Sequence, residues 1–238
     1  PTGKKVNSAL DNPSSFFTAS GLSNRAADLS RLMDDMGQAV KTVEAADKGI
    51  KGITKLVENA QALAKQALAT EDATVRSNLA TEFGKVLTQI DQMAADSGYN
   101  GKNLLASDTL NVQFNEDGSS ELDIVGVDGS TTGVSIAAAA NTWAADADIT
   151  AAVDDLTAAI TTLRSNASSF GTSLAIVQNR QDFTKGMIDT LNNGSDQLTI
   201  ADPNEEGAKL LALNTRAQLS STALALASQQ DQAVLRLF

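Results

Sequence analysis

Apolar residues recur every seven positions in two stretches of the chain, Leu29 to Ala67 and Ile149 to Leu198. In the first, one row runs Leu29, Met36, Val43, Ile50, Val57, Ala64, and a row three residues on runs Leu32, Ala39, Ala46, Ile53, Ala60, Ala67. In the second, one row runs Ile149, Leu156, Leu163, Phe170, Val177, Thr184, Leu191, Leu198, and a row four residues on runs Val153, Ile160, Ala167, Leu174, Gln181, Ile188. A strict period of seven, rather than the straight helix's value of about 3.6, marks long helices that wrap around one another left-handedly. Alanine fills much of one row of the first stretch, so a neighbouring backbone can come close there and the partner must bring the bulk. The second stretch brings it, and the two are predicted to pair antiparallel.

Local signals set the element boundaries. Asn12 before Pro13 reads as an N-cap and first helical residue, opening a helix from about Pro13 to Ala69. Within it Gly21, Gly37, Gly49 and Gly52 mark either a bend or sites of close packing. Thr70 or Asp72 caps a second helix with Val75, Leu79, Phe83, Val86, Ile90 and Met93 as its apolar face, folding back antiparallel on the first. It ends at Ser97-Gly98, where glycine suits a left-handed cap. Alternation then predicts a β-hairpin, with Leu110, Val112 and Phe114 on one arm, a turn at Asn115–Gly118, and Leu122, Ile124 and Val127 on the other.

The Gly/Thr/Ser/Ala-rich stretch from Asp128 to about Ala147 reads as a small flap or loop anchored by Trp143. The heptad helix follows from Asp148 to about Leu198, with Gly171, Gly186 and Asn192-Asn193-Gly194 as weak points. Asp202-Pro203-Asn204-Glu205 restarts a helix toward Phe238, whose apolar positions Leu210, Leu213, Ala217, Leu224, Ala227, Val234 and Phe238 need a partner. The expected fold is mainly α, a long antiparallel coiled-coil-like helical bundle with a small β-hairpin subdomain at mid-chain. Its segments are 1–105 and 148–200 for the helical core, 106–147 for the hairpin and exposed variable loop, and 201–238 for a terminal helix.

Composition restricts the chemistry. With 238 residues, 42% of them hydrophobic, the chain can bury a sizeable core. Eighteen Lys and Arg against 29 Asp and Glu give a net charge of −11, which repels nucleic acid and anionic membranes and removes both as expected partners. Cysteine and histidine are absent, so thiol nucleophiles, thiolate or imidazole metal ligands and the usual general base are missing together.

Asp34-Asp35 and Asp154-Asp155 are adjacent pairs pointing to different sides of a helix, not converging carboxylates. Glu116, Asp117, Glu121, Asp123 and Asp128 could gather a cation such as calcium, but they lack the spaced loop that holds one, and hairpin solubility is the stronger reading. No catalytic residue, cofactor or metal is expected. No apolar run reaches the length of a membrane span, and no secretory apolar segment follows Pro1-Thr2-Gly3-Lys4-Lys5. The opening proline leads us to expect that a segment precedes it.

Four motifs in fixed order carry a family resemblance. They are Asn7-Ser8-Ala9-Leu10-Asp11-Asn12-Pro13 before the first helix, Ser97-Gly98-Tyr99-Asn100-Gly101-Lys102-Asn103-Leu104-Leu105 after the second, Leu174-Ala175-Ile176-Val177-Gln178-Asn179-Arg180 in the third, and Ala217 to Phe238 ending in Val234-Leu235-Arg236-Leu237-Phe238. Together with the heptads between them, they make the chain similar to bacterial flagellin.

The resemblance implies a flagellar filament subunit, assembling rather than catalysing, secreted to the extracellular flagellum at the cell surface. It implies other flagellin subunits as partners, an export chaperone on the C-terminal helix, and hook-associated and cap proteins. Interface residues implied by it are Gln178, Asn179 and Arg180, Tyr99 and Asn100, and Leu210, Leu213, Leu224, Val234 and Phe238 on the last helix. The family's N-terminal tube segment is not in the chain as written, so it resembles a flagellin truncated at the N-terminus and is expected to polymerise poorly alone. Gln61 stands where the family's immune-recognised members carry arginine. Two other readings are a hook–filament junction protein and a cell-surface binder of polysaccharide or host ligand on the same frame. The intact Tyr99–Leu105 block and C-terminus favour filament over junction. A sugar binder would need aromatic platforms, for which Trp143, Phe114 and Tyr99 are the candidates.

Overall fold

The computed structural model describes the backbone of residues 3–235 and the side chains of residues 3–229. In chain order it contains α1 (Pro13–Leu68), α2 (Ala73–Asp96), β1 (Thr109–Gln113), β2 (Glu121–Val125), a short 3-10 turn (Ala140–Trp143), α3 (Asp146–Thr199) and α4 (Pro203–Leu235). Two compact units result. One is residues 25–189; the other joins the residues up to 24 with those from 190 onward.

In the 25–189 unit the rows of α1 become its core. Met36, Val43, Ile50, Val57 and Ala64 are buried, as are Ala39, Ala46, Ile53, Ala60 and Ala67 in the second row. On α3 the main row of Ile149, Leu156, Leu163, Phe170, Val177 and Thr184 is buried as well. The two helices are antiparallel and in step. Gly37 faces Gln181, and Gln61 Nε2 donates to Thr157 Oγ1 at 3.0 Å, so 24 residues forward along α1 (61 − 37) match 24 back along α3 (181 − 157). Equal advance on both helices is what a shared seven-residue repeat requires.

Two expectations about rows are corrected. The second α3 row, Val153, Ile160, Ala167, Leu174, Gln181 and Ile188, is only half-buried, while Ala152 and Ala159 on the other flank are fully enclosed. A two-helix seam buries two rows; here α2 and the loop add to the cluster, and burial spreads to a flank the heptad pattern did not mark. On α2 the buried stripe is Arg76, Ala80, Phe83, Leu87, Ile90 and Ala94, turned from the predicted face, with Val75 40% exposed.

Arg76 lies on that buried stripe. Its Nε donates to Thr70 O at 2.6 Å and its guanidinium also reaches Ala144 O at 3.3 Å and the Asp146 carboxylate at 2.5 Å, so a cation sits inside with every side of it partnered. A buried charge is tolerated only on such terms.

Asp72 is the N-cap of α2, accepting from Thr74 N and Val75 N at 2.8 and 3.1 Å. The predicted left-handed glycine cap at Gly98 is absent; Ser97 ends the helix at φ −79°, and the left-handed residues are Asn100 and Gly101. The carbonyls of Ala94 and Ala95 are satisfied instead by the Asn103 side-chain amide, at 2.8 and 2.9 Å. Gly49 and Gly52 prove to be sites of close packing. A methyl group at Gly49 would collide with Ser97 and Leu105, and one at Gly52 with Met93. These contacts lay the end of α2 against the middle of α1, and with the short 68–73 connection they make the pair antiparallel.

The hairpin forms as expected, β1 pairing antiparallel with β2 in the register Leu110 to Ile124 and Val112 to Leu122. Val112, Phe114 and Ile124 enter the common core. The stretch expected as a flap or exposed loop is packed down too, burying Val134, Ile136 and Trp143. The Trp143 ring lies 4.9 Å from Phe83, centroid to centroid, and its indole N–H is buried without a partner. To place it there, Asn141, Thr142 and Trp143 adopt φ of 46°, 51° and 58°, a left-handed run that costs non-glycine residues about 1 kcal/mol or more each.

In the other unit, Asn12 caps α1 by accepting from Ser15 N at 3.1 Å, with Pro13 first in the helix as predicted. Ser195 Oγ lies 2.9 Å from Ser23 Oγ, and Lys5 N and Val6 N both donate to Thr199 O, at 2.7 and 3.2 Å. α4 starts at Pro203 as the Asp202-Pro203 signal predicts.

Candidate subunit interface

The residues expected to meet neighbours fall in three places. Gln178, Asn179 and Arg180 are all exposed on α3, at successive steps of about 100° around the helix. Beside them Ile176 and Phe183 are 41% and 59% exposed, and with Asn179 and Arg180 they line one shallow depression. The Arg180 guanidinium sits 5.1 Å from the centroid of Phe114, a cation over an aromatic face. Phe114 in turn helps line a cleft of about 220 Å³ that also holds Arg25 and Glu116, whose side chains pair at 2.5 Å. The hairpin turn next to it is held by Asp117, which accepts from Ser119 N and Oγ; these bonds, helped by the Arg25 charge, keep its carboxyl below the ordinary range.

Tyr99 and Asn100 lie elsewhere, at the other end of β1. Tyr99 is 37% exposed and its hydroxyl donates to Gln38 Oε1 at 3.0 Å, while Asn100 takes the left-handed conformation at φ 49°. With Asp35, Thr42, Lys102 and Asn111 they surround a polar groove of about 300 Å³. The structure therefore does not bring Tyr99 and Asn100 together with Gln178, Asn179 and Arg180; they form two patches.

The third set belongs to α4. Leu210, Leu213 and Leu224 are 61%, 62% and 74% exposed, and every described side chain from Pro203 to Gln229 is exposed. The side chain of Val234 and all of Phe238, both named from the sequence, lie outside the described residues. On the first turns of α4, hydrogen bonds from Lys209 to Glu206 and Glu205 hold the lysine's pKa above its usual value.

Sequence reasoning missed Ile176 and Phe183. They are seven residues apart and form a short third apolar row on α3, outside the two core rows, which was the readable sign of an outward apolar face. It also missed Arg76, although 76, 83 and 90 share one heptad row with Phe83 and Ile90. Of the aromatic platforms a sugar binder would need, Trp143 is fully buried and Phe114 is 8% exposed, leaving Tyr99. Among the described residues there is no group of three or more acidic side chains placed to hold a metal ion, and no helix is long and apolar enough to cross a membrane. The patches offer stacking, hydrogen bonds and apolar contact, which is the chemistry of association.

Comparison with known proteins agrees. Residues 1–109 match the bacterial flagellin N-terminal helical region and residues 150–238 the bacterial flagellin C-terminal helical region. The chain is 30% identical over 250 residues to flagellin FljK of Caulobacter vibrioides, covering all of this chain and 87% of that protein. It is 27% identical over 251 residues to a flagellin of Brucella melitensis, covering 88% of it. The crystal structure of Bacillus cereus flagellin superposes with a TM-score of 0.56 at 18% identity over 63% of this chain and 88% of that one, a likeness of fold. The family regions at both ends and the Caulobacter and Brucella flagellins matched along the whole chain support a structural subunit of the flagellar filament, and the chain belongs to the bacterial flagellin family.

Proposed function

We propose that this flagellin joins its neighbours through two chemically different surfaces. On α3, Asn179 and Arg180 with Ile176 and Phe183 around them, and Gln178 on the adjoining face, make lateral contacts by amide and guanidinium hydrogen bonds and apolar packing, and Tyr99 and Asn100 add a second polar contact. α4 supplies the apolar surface, with Leu210, Leu213 and Leu224, and the positions of Val234 and Phe238 further on, packing against helices of other subunits. The observation that carries this reading is α4 itself. Leu210, Leu211, Leu213, Leu219, Leu224 and Leu226 are all 59% or more exposed, and a helix with that much uncovered leucine needs a partner.

Before assembly the same leucines call for a protecting export chaperone, and the ends of the growing polymer call for hook-associated and cap proteins. The site of action is then the extracellular flagellum at the cell surface. The test is the pair Leu213→Glu and Leu224→Glu in cells that lack other flagellins. Both positions are exposed, so helicity and unfolding of the purified chain stay unchanged while filaments disappear from electron micrographs. Filaments of normal length from the double variant would overturn the proposal.

A further inference from the structure

A cleft of about 400 Å³ opens between α1 and α3, and shares no lining residue with the patches described above. Ile50, Leu163 and Ala167 form its apolar floor. Lys51, Lys55 and Arg164 stand on its walls with Asp47 and Glu58, a surplus of one positive charge on a chain whose net charge is −11. Lys51 is paired to Asp47 at 2.6 Å, but Lys55 and Arg164 make no ion pair among the described residues.

The outer face of the hairpin is its chemical complement. Asn111 Nδ2 donates to Glu121 Oε2 at 2.9 Å and to Asp123 Oδ1 at 2.8 Å, aligning two exposed carboxylates on one side of β2. Neither carboxylate meets a cation among the described residues. Val125 continues the same side and is 67% exposed, unlike the buried Ile124 beside it. Same-side positions on a strand are about 6.8 Å apart, so Glu121, Asp123 and Val125 present two carboxylates and an apolar side chain in one line to a cleft that holds Lys55 from α1, Arg164 from α3 and an apolar floor.

The hairpin cannot reach the cleft of its own chain. Asp35, Gln38, Thr42 and Gly49, which face the hairpin and the end of α2, lie about half a turn around α1 from the cleft positions 47, 51, 54 and 58.

Building on the filament reading above, we infer that the basic cleft of one subunit receives the acidic outer face of the hairpin of a second copy of this chain. Lys55 and Arg164 meet Glu121 and Asp123, and Val125 lies on the Ile50, Leu163, Ala167 floor. The two surfaces are different and lie on opposite sides of α1, so the contact is head-to-tail, the class of contact from which an open filament is built when the rotation between neighbours does not close a ring.

The chain has no cysteine, which makes the test direct. Filaments of a Val125→Cys, Ala167→Cys variant should, on oxidation, give a ladder of disulfide-linked dimers, trimers and higher oligomers, and neither single variant should give one. Adding Glu121→Lys and Asp123→Lys should cut the ladder at least tenfold, and adding Lys55→Glu and Arg164→Glu to those should restore it. Filaments that form without a ladder, or a ladder insensitive to both charge reversals, overturn the inference and leave the filament reading standing. Retention of polyglutamate or polygalacturonate by the unsubstituted protein, with no ladder, assigns the cleft to another acidic partner and overturns it as well.

Discussion

The 25–189 unit and helix α4 use apolar residues in opposite ways. In the first, the Met36 to Ala67 rows and their α3 counterparts are enclosed within one chain; in the second, leucines at comparable density face outward. The contrast separates side chains that hold the subunit together from exposed ones that are proposed above to act in assembly. Only the first kind should register in the stability of an isolated chain.

The largest effect that can break this comparison is a truncation at Trp143. Trp143→Ala should lower unfolding free energy by about 3–5 kcal/mol in urea titrations followed by far-UV ellipticity, whereas Leu224→Ala should change it by less than about 0.5 kcal/mol. Equal losses for the two would refute the division. Next comes Gly126→Ala, whose methyl group would press on the backbone carbonyls of Asp108 and Leu104 at the base of the hairpin. Backbone cannot move aside as a flexible side chain can, so a loss of about 1–3 kcal/mol is expected in the same titration.

Arg76→Met sharpens the comparison inside the bundle. It removes the donor shared by Thr70 O, Ala144 O and Asp146, and a cost of about 1–3 kcal/mol is expected. Asp146→Asn should cost less, since that carboxylate is 71% exposed. Arg180→Gln loses only the cation over Phe114 at a solvent-exposed position, about 0.5–1 kcal/mol by double-mutant cycle with Phe114→Leu.

The smallest effect lies near the N-terminal end of α1. The Asp11 carboxylate accepts from Asn7 N and Ser8 N, each at 2.9 Å, and those bonds hold its pKa below the usual value of about 3.8. A depressed carboxylate stabilises above its unfolded pKa and loses that contribution as pH falls through the folded one. The ratio of amide exchange rates at Asn7 and Ser8 to those of an Asp11→Asn reference should therefore be constant above about pH 4 and rise only below it. A ratio that changes near neutral pH would contradict the assignment.

Much of the fold could be read from residue order because the deciding forces act locally or along one repeating face. Asn12-Pro13 and Asp202-Pro203 opened helices where predicted, and the turn at Asn115–Gly118 closed a hairpin between the expected arms. The interface was less legible. Leu210, Leu213 and Leu224 stood out as apolar residues lacking a partner, but Ile176 and Phe183 were hidden because a residue on a third helical row counts as noise until the core rows are known. Arg76 was missed because a charge on an apolar face is recognisable only once its acceptors, 6 and 70 residues away for Thr70 and Asp146, are seen together.

The sequence by itself determined that two heptad-bearing helices exist, that they pair, and that thiol and imidazole chemistry is missing from an acidic chain. Periodicity and composition are properties of one dimension, and these conclusions need no more. The tertiary structure alone decided which flank of α3 is covered, that Trp143 is a buried plug in a left-handed turn, and that Gly49 and Gly52 are contact points, not bends. Each of these depends on what a third element brings against the pair, and that is set by close packing in space, which no spacing along the chain records.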